Sequence, residues 1–241
     1  MTVIVVENKD KVIEKLCELI ERSAKESIDK RDVFLVGVSG GSLAVFLEVG
    51  LPKIKSDFSK WRLFFCDERV VPVDDPDSTY GLYKRALVDS GLLGLKPDQF
   101  VQIKQGVSAE EAAIDYENQL KKFFPSQELP QFDMLLLGMG PDGHTCSLFP
   151  GHPLLKVTDR WIAPITDSPK PPPSRVTMTF PVVNNARVCI FATGGKEKAE
   201  MIKKVLVDQD EQLPAARVKP HSGAIYWIVD QDAGVHIKNK V

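Results

Sequence analysis

Short apolar segments recur along this chain, and longer segments with amphipathic spacing separate them. A continuous apolar run is typical of a strand that is buried on both faces, as in a parallel sheet. The apolar start of the chain, within residues 1–10, favours a first strand over a cleaved leader, because a basic segment and a cleavage site are missing. The later runs cover residues 33–38, 62–66, 132–137, 188–192 and 224–229.

Helical patterns fill the intervals between these runs. Residues 9–25 and 196–207 each place apolar side chains on one helical face with charges opposite. Ser108 and Glu111 have the spacing of a capping box, which opens a helix that runs to about Phe124. Strands that alternate with helices predict an α/β protein with a mainly parallel central sheet covered on both faces.

A proline-rich segment at 167–174 predicts an extended surface loop, because consecutive prolines exclude a helix or a sheet interior. A strand-like sequence follows it, so we expect no domain boundary there. The length of 241 residues suits one α/β unit. We therefore predict a single domain over residues 1–241.

The composition is that of an ordinary globular protein, with 43% hydrophobic and 27% charged residues and a formal net charge of −2. Such a charge balance creates no field that gathers nucleic acid or an anionic membrane, and no apolar run is long enough to span a bilayer. The cysteines are scattered without paired spacing, which favours buried thiols in a reducing cytosol over disulfides or a zinc site. We expect a cytoplasmic protein that binds neither nucleic acid nor membranes.

Glycine-rich and charged motifs follow four of the predicted strands, where ligands of open α/β sheets collect. Ser39, Gly40, Gly41 and Ser42 follow the first of these strands and lead into a helix. Glycines let the backbone approach a ligand, and a helix start offers free N–H groups to an anion. The motif fits neither a Walker A loop nor a dinucleotide fingerprint. It is either a phosphate-binding turn or a plain strand–helix turn.

Three charged residues, Asp67, Glu68 and Arg69, end the next run. Charges at the end of a buried strand are costly unless they are paired or face a cleft. The planar guanidinium of Arg69 suits a phosphate or carboxylate ligand. A structural ion pair between Arg69 and Asp67 or Glu68 is the alternative.

A glycine-rich loop after the third run exposes Asp142 and His144, with glycines at 138, 140 and 143. A neutral histidine beside a carboxylate is suited to proton abstraction near neutral pH. The histidine spacing fits no zinc motif. We predict that His144 and Asp142 are catalytic, whereas a histidine on an ordinary surface loop is the alternative.

Two further cations are candidates for binding an anion. Lys196 follows a glycine pair and opens a predicted helix, where a positive charge opposes the helix dipole unless an anion is bound. Arg175 follows the proline-rich loop and can reach over the site. A solvated surface cation is the alternative for both residues.

These motifs together resemble those of a known family. The segment 138–150, Gly-Met-Gly-Pro-Asp-Gly-His-Thr-Cys-Ser-Leu-Phe-Pro, is similar to the signature of 6-phosphogluconolactonases. The resemblance covers almost the whole chain, and its proline-rich segment is most similar to that of animal-type members. It implies a three-layer, modified Rossmann-like fold shared with glucosamine-6-phosphate deaminases. The segments that look like the family's other motifs are 39–42, 67–72, 167–175 and 193–196.

The resemblance also implies an activity, the hydrolysis of 6-phosphogluconolactone to 6-phosphogluconate in the oxidative pentose phosphate pathway, without a metal or organic cofactor. His144 would activate water or relay its proton, and Asp142 would orient the imidazole. The expected partner is a small phosphorylated sugar lactone, and we expect a monomer. The groups implied to bind the phosphate are Arg69, Lys196 and the turn from Ser39 to Ser42, with Arg175 assisting.

Three other functions are consistent with parts of the sequence. The deaminase branch carries Asn-Glu-Pro after its Asp-Gly-His segment, whereas this chain has Ser147-Leu-Phe-Pro150, which favours a lactonase. A non-catalytic sugar-phosphate sensor usually carries a DNA-binding segment, and no basic helix-turn-helix pattern is present here. A nicotinamide-dependent oxidoreductase would need the glycine fingerprint that this chain lacks.

Overall fold

Strands and helices alternate along the chain in a computed structural model that describes residues 1–237. The strands are β1 (Thr2–Val6), β2 (Phe34–Val38), β3 (Trp61–Phe65), β4 (Asp67–Arg69), β5 (Phe100–Val101), β6 (Met134–Leu137), β7 (Ile162–Ile165), β8 (Arg175–Met178), β9 (Val188–Thr193) and β10 (Ala224–Asp230). The α-helices are α1 (Lys9–Arg31), α2 (Ser42–Gly50), α3 (Thr79–Tyr83), α4 (Ala109–Phe123), α5 (Phe180–Val183) and α6 (Ala199–Leu206).

Seven of these strands form one parallel sheet in the order β1-β10-β9-β6-β2-β3-β5. From β2 the chain adds β3 and β5 on one side, and it adds β6, β9 and β10 on the other. Connections that diverge in this way open a crevice at the carboxyl ends of the two central strands. The topology therefore predicts a ligand site beyond the ends of β2 and β6.

Helices cover both faces of this sheet, because successive strand side chains point to opposite faces. Leu63 and Phe65 of β3 pack into a buried cluster with α1, α2 and α3. Phe64, between them, packs into a second cluster that contains α4 and α6. The result is three layers with a mainly parallel sheet in the middle, which confirms the predicted fold class.

A second, three-stranded antiparallel sheet in the order β4-β8-β7 lies beyond the end of β3, and the sequence did not predict it. Cys66 joins the two sheets, because its N–H donates to Val38 O of β2 and its carbonyl accepts from Met178 N of β8. In this small sheet Arg69 pairs with Arg175. It thereby positions the charged motif after β3 above the crevice.

The predicted helices differ from the observed ones mainly at their ends. α1 continues to Arg31, and the capping box of Ser108 and Glu111 starts α4 as predicted. The predicted helix 196–207 opens with a 3₁₀ turn, Lys196–Lys198, before α6. Among residues 1–237, no helix is long and apolar enough to cross a membrane. The single domain over 1–241 stays a prediction, and its last four residues lie outside the described ones.

Candidate active site

A cavity of about 230 Å³ lies at the carboxyl ends of β2 and β6. Loops from four strand ends converge on it, as the positions of the motifs predicted. A larger cavity of about 480 Å³ lies between α1 and the end of α2, but no histidine and no strand end borders it, so we place the chemistry in the smaller one. The smaller cavity is lined by Ser39, Gly40, Gly41, Ser42, Asp67, Arg69, Gly138, Met139, Gly140, His144, Cys146 and Lys198.

His144 and Asp142 form a hydrogen-bonded pair in a tight turn after β6, with His144 Nδ1 2.5 Å from Asp142 Oδ1. The turn closes through bonds from Gly143 N to Gly140 O at 3.1 Å and from Gly140 N to His144 O at 2.9 Å. A Cβ atom on Gly140 would lie 2.0 Å from His144 Cε1, so a side chain there would displace the imidazole. Because the carboxylate only accepts hydrogen bonds, it holds the proton on Nδ1 and leaves Nε2 with a free lone pair.

The electrostatics of this pair suit a base. Burial lowers the pKa of His144, Asp142 opposes that change, and the charge of Lys170 reinforces it. Burial alone would raise the pKa of Asp142, but hydrogen bonds from His144 and Lys170 and the charge of His144 lower it to about 2. At neutral pH the imidazole is therefore neutral and the carboxylate ionised, which are the states that general-base catalysis requires.

Lys170, in the proline-rich loop between β7 and β8, contacts this pair. Its Nζ lies 3.1 Å from Asp142 Oδ1 and 3.4 Å from His144 Nδ1. The sequence predicted the loop as surface structure and did not single out this lysine. No local pattern pointed to it, because it lies 26 residues from His144 in the chain.

Arg175 holds the proline-rich loop rather than lining the cavity. Its guanidinium donates to the carbonyl oxygens of Lys170, Pro171 and Pro172 at 2.9, 2.9 and 3.0 Å. A fourth, longer bond reaches Ser147 Oγ at 3.4 Å. The residue is only 2% exposed. The sequence suggested that Arg175 can reach over the site, whereas in the structure the antiparallel sheet places its guanidinium against the carbonyl groups of the loop.

The turn from Ser39 to Ser42 presents the start of α2 to the cavity. Gly41 is the N-cap with φ of 72°, a left-handed conformation that favours glycine, and no side chain caps the helix. The first N–H groups of α2 therefore remain available to an anion. Among the described residues, Ser39 Oγ and Arg69 Nε are buried without a hydrogen-bond partner. Both groups border the cavity, where a ligand can satisfy them.

The acidic neighbours of Arg69 are engaged elsewhere. Asp67 accepts a hydrogen bond from Ser147 Oγ at 2.8 Å. Glu68, which is buried, accepts from the backbone N–H groups of Arg69, Thr79 and Tyr80 and so caps α3. The guanidinium of Arg69 donates to Asp77 O at 3.2 Å. A structural ion pair is therefore not what holds the Arg69 side chain.

Lys198 occupies the position that the sequence suggested for Lys196. Lys198 lines the cavity, and its Nζ donates to Met139 O at 3.0 Å. Burial lowers the pKa of Lys198. Lys196 is exposed and lies outside the lining. The difference arises because the 3₁₀ turn has three residues per turn and changes which lysine points back to the sheet.

The cysteines are buried and free, as their scattered spacing predicted. Within the part of the chain that the structure describes, no group of three or more His, Cys, Asp or Glu side chains is arranged to hold a metal ion.

Known proteins are similar to this chain along nearly its whole length. The family model for glucosamine-6-phosphate isomerases/6-phosphogluconolactonase matches residues 7–227. The chain belongs to this family. It is 46% identical over 224 residues to the 6-phosphogluconolactonase of Rattus norvegicus, covering 90% of this chain and 86% of the relative. It is 43% identical over 232 residues to the probable 6-phosphogluconolactonase of Drosophila melanogaster, covering 96% and 93%.

Solved structures of the family share the fold. The 6-phosphogluconolactonase of Trypanosoma cruzi matches with a TM-score of 0.84 and 25% identity, covering 98% of this chain and 97% of that one. The enzyme of Thermotoga maritima matches with a TM-score of 0.80 and 26% identity, covering 95% and 99%. These similarities confirm the resemblance noted in the motifs and the Rossmann-like fold. The protein is an ester hydrolase of the lactonase branch of the family.

Proposed function

We propose that the chain hydrolyses 6-phospho-D-glucono-1,5-lactone to 6-phospho-D-gluconate, the second step of the oxidative pentose phosphate pathway. One observation carries the proposal. A neutral histidine with a free Nε2 borders a cavity that also contains a guanidinium, an ammonium and the uncapped start of a helix. The histidine can activate water for attack on a carbonyl. The guanidinium, the ammonium and the helix start can bind a phosphate.

In this proposal His144 acts first as a base and then as an acid. Its Nε2 takes a proton from water, and the water oxygen bonds to the C1 carbonyl carbon of the lactone to form a tetrahedral oxyanion. The bond from C1 to the ring oxygen then breaks, and His144 returns the proton to that oxygen. Asp142 keeps Nδ1 protonated and stabilises the transient imidazolium, because its carboxylate accepts the Nδ1–H bond.

We propose that Arg69, Lys198 and the turn from Ser39 to Ser42 bind the phosphate. Arg69 Nε and Ser39 Oγ are the buried groups that a phosphate oxygen can pair with. Lys198 adds a positive charge at the cavity, and the N–H groups of α2 add further donors. Lys196 and Arg175, which the sequence also suggested, are not part of this proposed binding set.

A glucosamine-6-phosphate deaminase of the same fold is the nearest rival. The segment where that branch carries its acidic residue is Ser147-Leu-Phe-Pro150 here. Ser147 Oγ bonds to Asp67, and the Phe149 ring packs on the His144 imidazole with centroids 4.7 Å apart. This segment thus supports the base without contributing a carboxylate. Ammonia release from glucosamine 6-phosphate by the purified protein would favour the rival.

The experiment is a stopped-flow assay of acid release from freshly generated lactone, above the spontaneous rate. We expect the wild type to accelerate hydrolysis and His144→Ala to lose about 10²–10⁴-fold in kcat, the usual contribution of a general base. The matched control is His221→Ala, because His221 is exposed and lies outside the cavity. Wild-type turnover in His144→Ala would refute the assignment of the base. No acceleration by folded wild type would refute the function.

A further inference from the structure

We propose that Lys170 is a positioning residue for the His144–Asp142 pair: its ammonium group holds the carboxylate in place and disfavours a positive charge on the imidazole of the free enzyme. The inference rests on the proposed role of His144 as the base.

The contacts define what the ammonium can do. Asp142 Oδ1 accepts from both Lys170 Nζ at 3.1 Å and His144 Nδ1 at 2.5 Å, so one oxygen joins the two groups. Nζ and Nδ1 lie 3.4 Å apart, but both carry protons, so this contact is a close approach of two donors. Lys170 therefore stabilises the carboxylate and opposes the imidazolium at the same time.

The loop that carries Lys170 is held on both sides. Arg175 donates to the carbonyl oxygens of Lys170 and of the two prolines that follow it. Ser168 Oγ accepts from Lys170 N at 3.3 Å and donates to Lys170 O at 2.8 Å. Ser168 N also donates to Pro173 O at 3.2 Å, which closes the loop. A lysine that served only to solvate the surface would not need a fixed backbone.

Lys170 is the cation in direct contact with the pair, although other charges surround it. Arg175 lies over the Phe149 ring at 5.6 Å from its centroid, and the same ring packs on the imidazole with centroids 4.7 Å apart. Asp67 favours the charged imidazole, whereas Lys170 opposes it. The charged and titratable groups that face the pair are Asp67 and Arg69 from β4, Cys146 from the turn after β6, Lys170 from the loop, Arg175 from β8 and Lys198 from the turn before α6.

The sign of the effect follows from the contacts. Without the ammonium, the like charge that opposes the imidazolium is gone while Asp142 and Asp67 still favour it, so the pKa of His144 rises. A larger fraction of His144 is then protonated at acid pH and cannot accept a proton from water. The acid limb of the profile of kcat/KM against pH therefore moves to higher pH, while the plateau changes little.

The test compares Lys170→Met with Lys122→Met, since Lys122 is an exposed lysine on α4. The first readout is an NMR titration of the His144 Cε1–H resonance in the ligand-free protein, assigned with His144→Ala. The second is kcat/KM for the lactone against pH.

In Lys170→Met we expect the resonance to titrate at higher pH and kcat/KM on the acid limb to fall by about tenfold, as loss of a charge at this distance predicts. The His144 titration and the kcat/KM profile of Lys122→Met should match those of the wild type. Lys170→Arg keeps the charge, so its titration and profile should lie nearer to the wild type than those of Lys170→Met.

An unchanged His144 titration in Lys170→Met would overturn the proposal. If that variant does not fold, Lys170→Gln is measured in the same way, because it keeps a donor and removes the charge. If the wild type does not hydrolyse the lactone, the proposed function fails, but the NMR titration still decides whether Lys170 controls the imidazole.

Discussion

The two lysines just before α6, Lys196 and Lys198, differ in where their side chains lie relative to the cavity. Lys198 reaches the cavity and donates to Met139 O, and burial makes its charge more costly than that of a solvated lysine. Lys198 is half-buried and lines the same cavity as Arg69, so an anion bound there would stabilise both positive charges. The proposed substrate phosphate would supply that anion, whereas Lys196 is exposed to solvent.

We expect Lys198→Met to raise KM for the lactone by about 10–100-fold with a smaller change in kcat, because a charge-assisted hydrogen bond contributes about 1.5–3 kcal/mol. Lys196→Met, the same substitution two residues earlier, should change KM much less. Steady-state kinetics on both variants decide the matter. Equal increases in KM, or a larger one in Lys196→Met, would contradict the assignment to Lys198.

At the scale of the element, the turn 140–144 can hold the His144–Asp142 pair because Gly140 has no side chain. A Cβ atom on Gly140 would lie 2.1 Å from His144 Nδ1 and 2.8 Å from Asp142 Oδ1, so the pair occupies the space that a side chain would need. The turn is also tied to the rest of the chain, since Ala215 N donates to Gly143 O at 3.0 Å. The imidazole and the carboxylate must therefore move if the backbone cannot.

Gly140→Ala should consequently reduce kcat by about 100-fold while the protein stays folded, because a displaced base loses most of its contribution. The double-mutant cycle with His144→Ala tests this explanation. In the His144→Ala background the added methyl group has no imidazole to displace, so Gly140→Ala should cost nothing further. Additive losses in the double variant, with circular dichroism unchanged, would show that the glycine acts in another way.

For the molecule as a whole, two buried clusters share one sheet. Trp61 lies in the cluster with α1 and α2, whereas Trp161 and Trp227 lie in the cluster with α4 and α6. The strands between them contribute alternate side chains to each cluster, so neither can form without the sheet. This sharing is the physical basis for the predicted single domain.

We expect one cooperative unfolding transition in urea. In Trp61→Phe the remaining tryptophans, Trp161 and Trp227, report on the face covered by α4 and α6. In a variant with Trp161 and Trp227 both replaced by Phe, Trp61 reports on the face covered by α1 and α2. Within each variant the fluorescence midpoint should coincide with that from far-ultraviolet circular dichroism. It should also be independent of protein concentration if the chain is a monomer. Separate transitions in either variant would contradict the single domain.

Local sequence patterns were sufficient for much of the fold and for the centre of the candidate site. The apolar runs predicted six of the seven strands of the parallel sheet, because a strand buried on both faces must be apolar throughout. The seventh, β5, has only two residues and was not predicted. The capping box predicted the start of α4. The contact between Asp142 and His144 could be predicted from the sequence because they are two residues apart in a glycine-rich turn. Such a contact depends on the local backbone alone.

Only the tertiary structure decided the contacts between distant segments. The antiparallel sheet of β4, β8 and β7 moves Arg175 beneath the proline-rich loop and brings Lys170 to Asp142, across 28 residues of sequence. The choice of Lys198 over Lys196 depends on a 3₁₀ turn packed against the sheet. The sequence by itself determined the long helices, six strands of the parallel sheet and which strand ends carry glycine-rich and charged motifs, because periodicity and turn residues act over a few positions. Which distant side chains meet there depends on strand order and packing, because no local pattern encodes the direction in which a loop folds back.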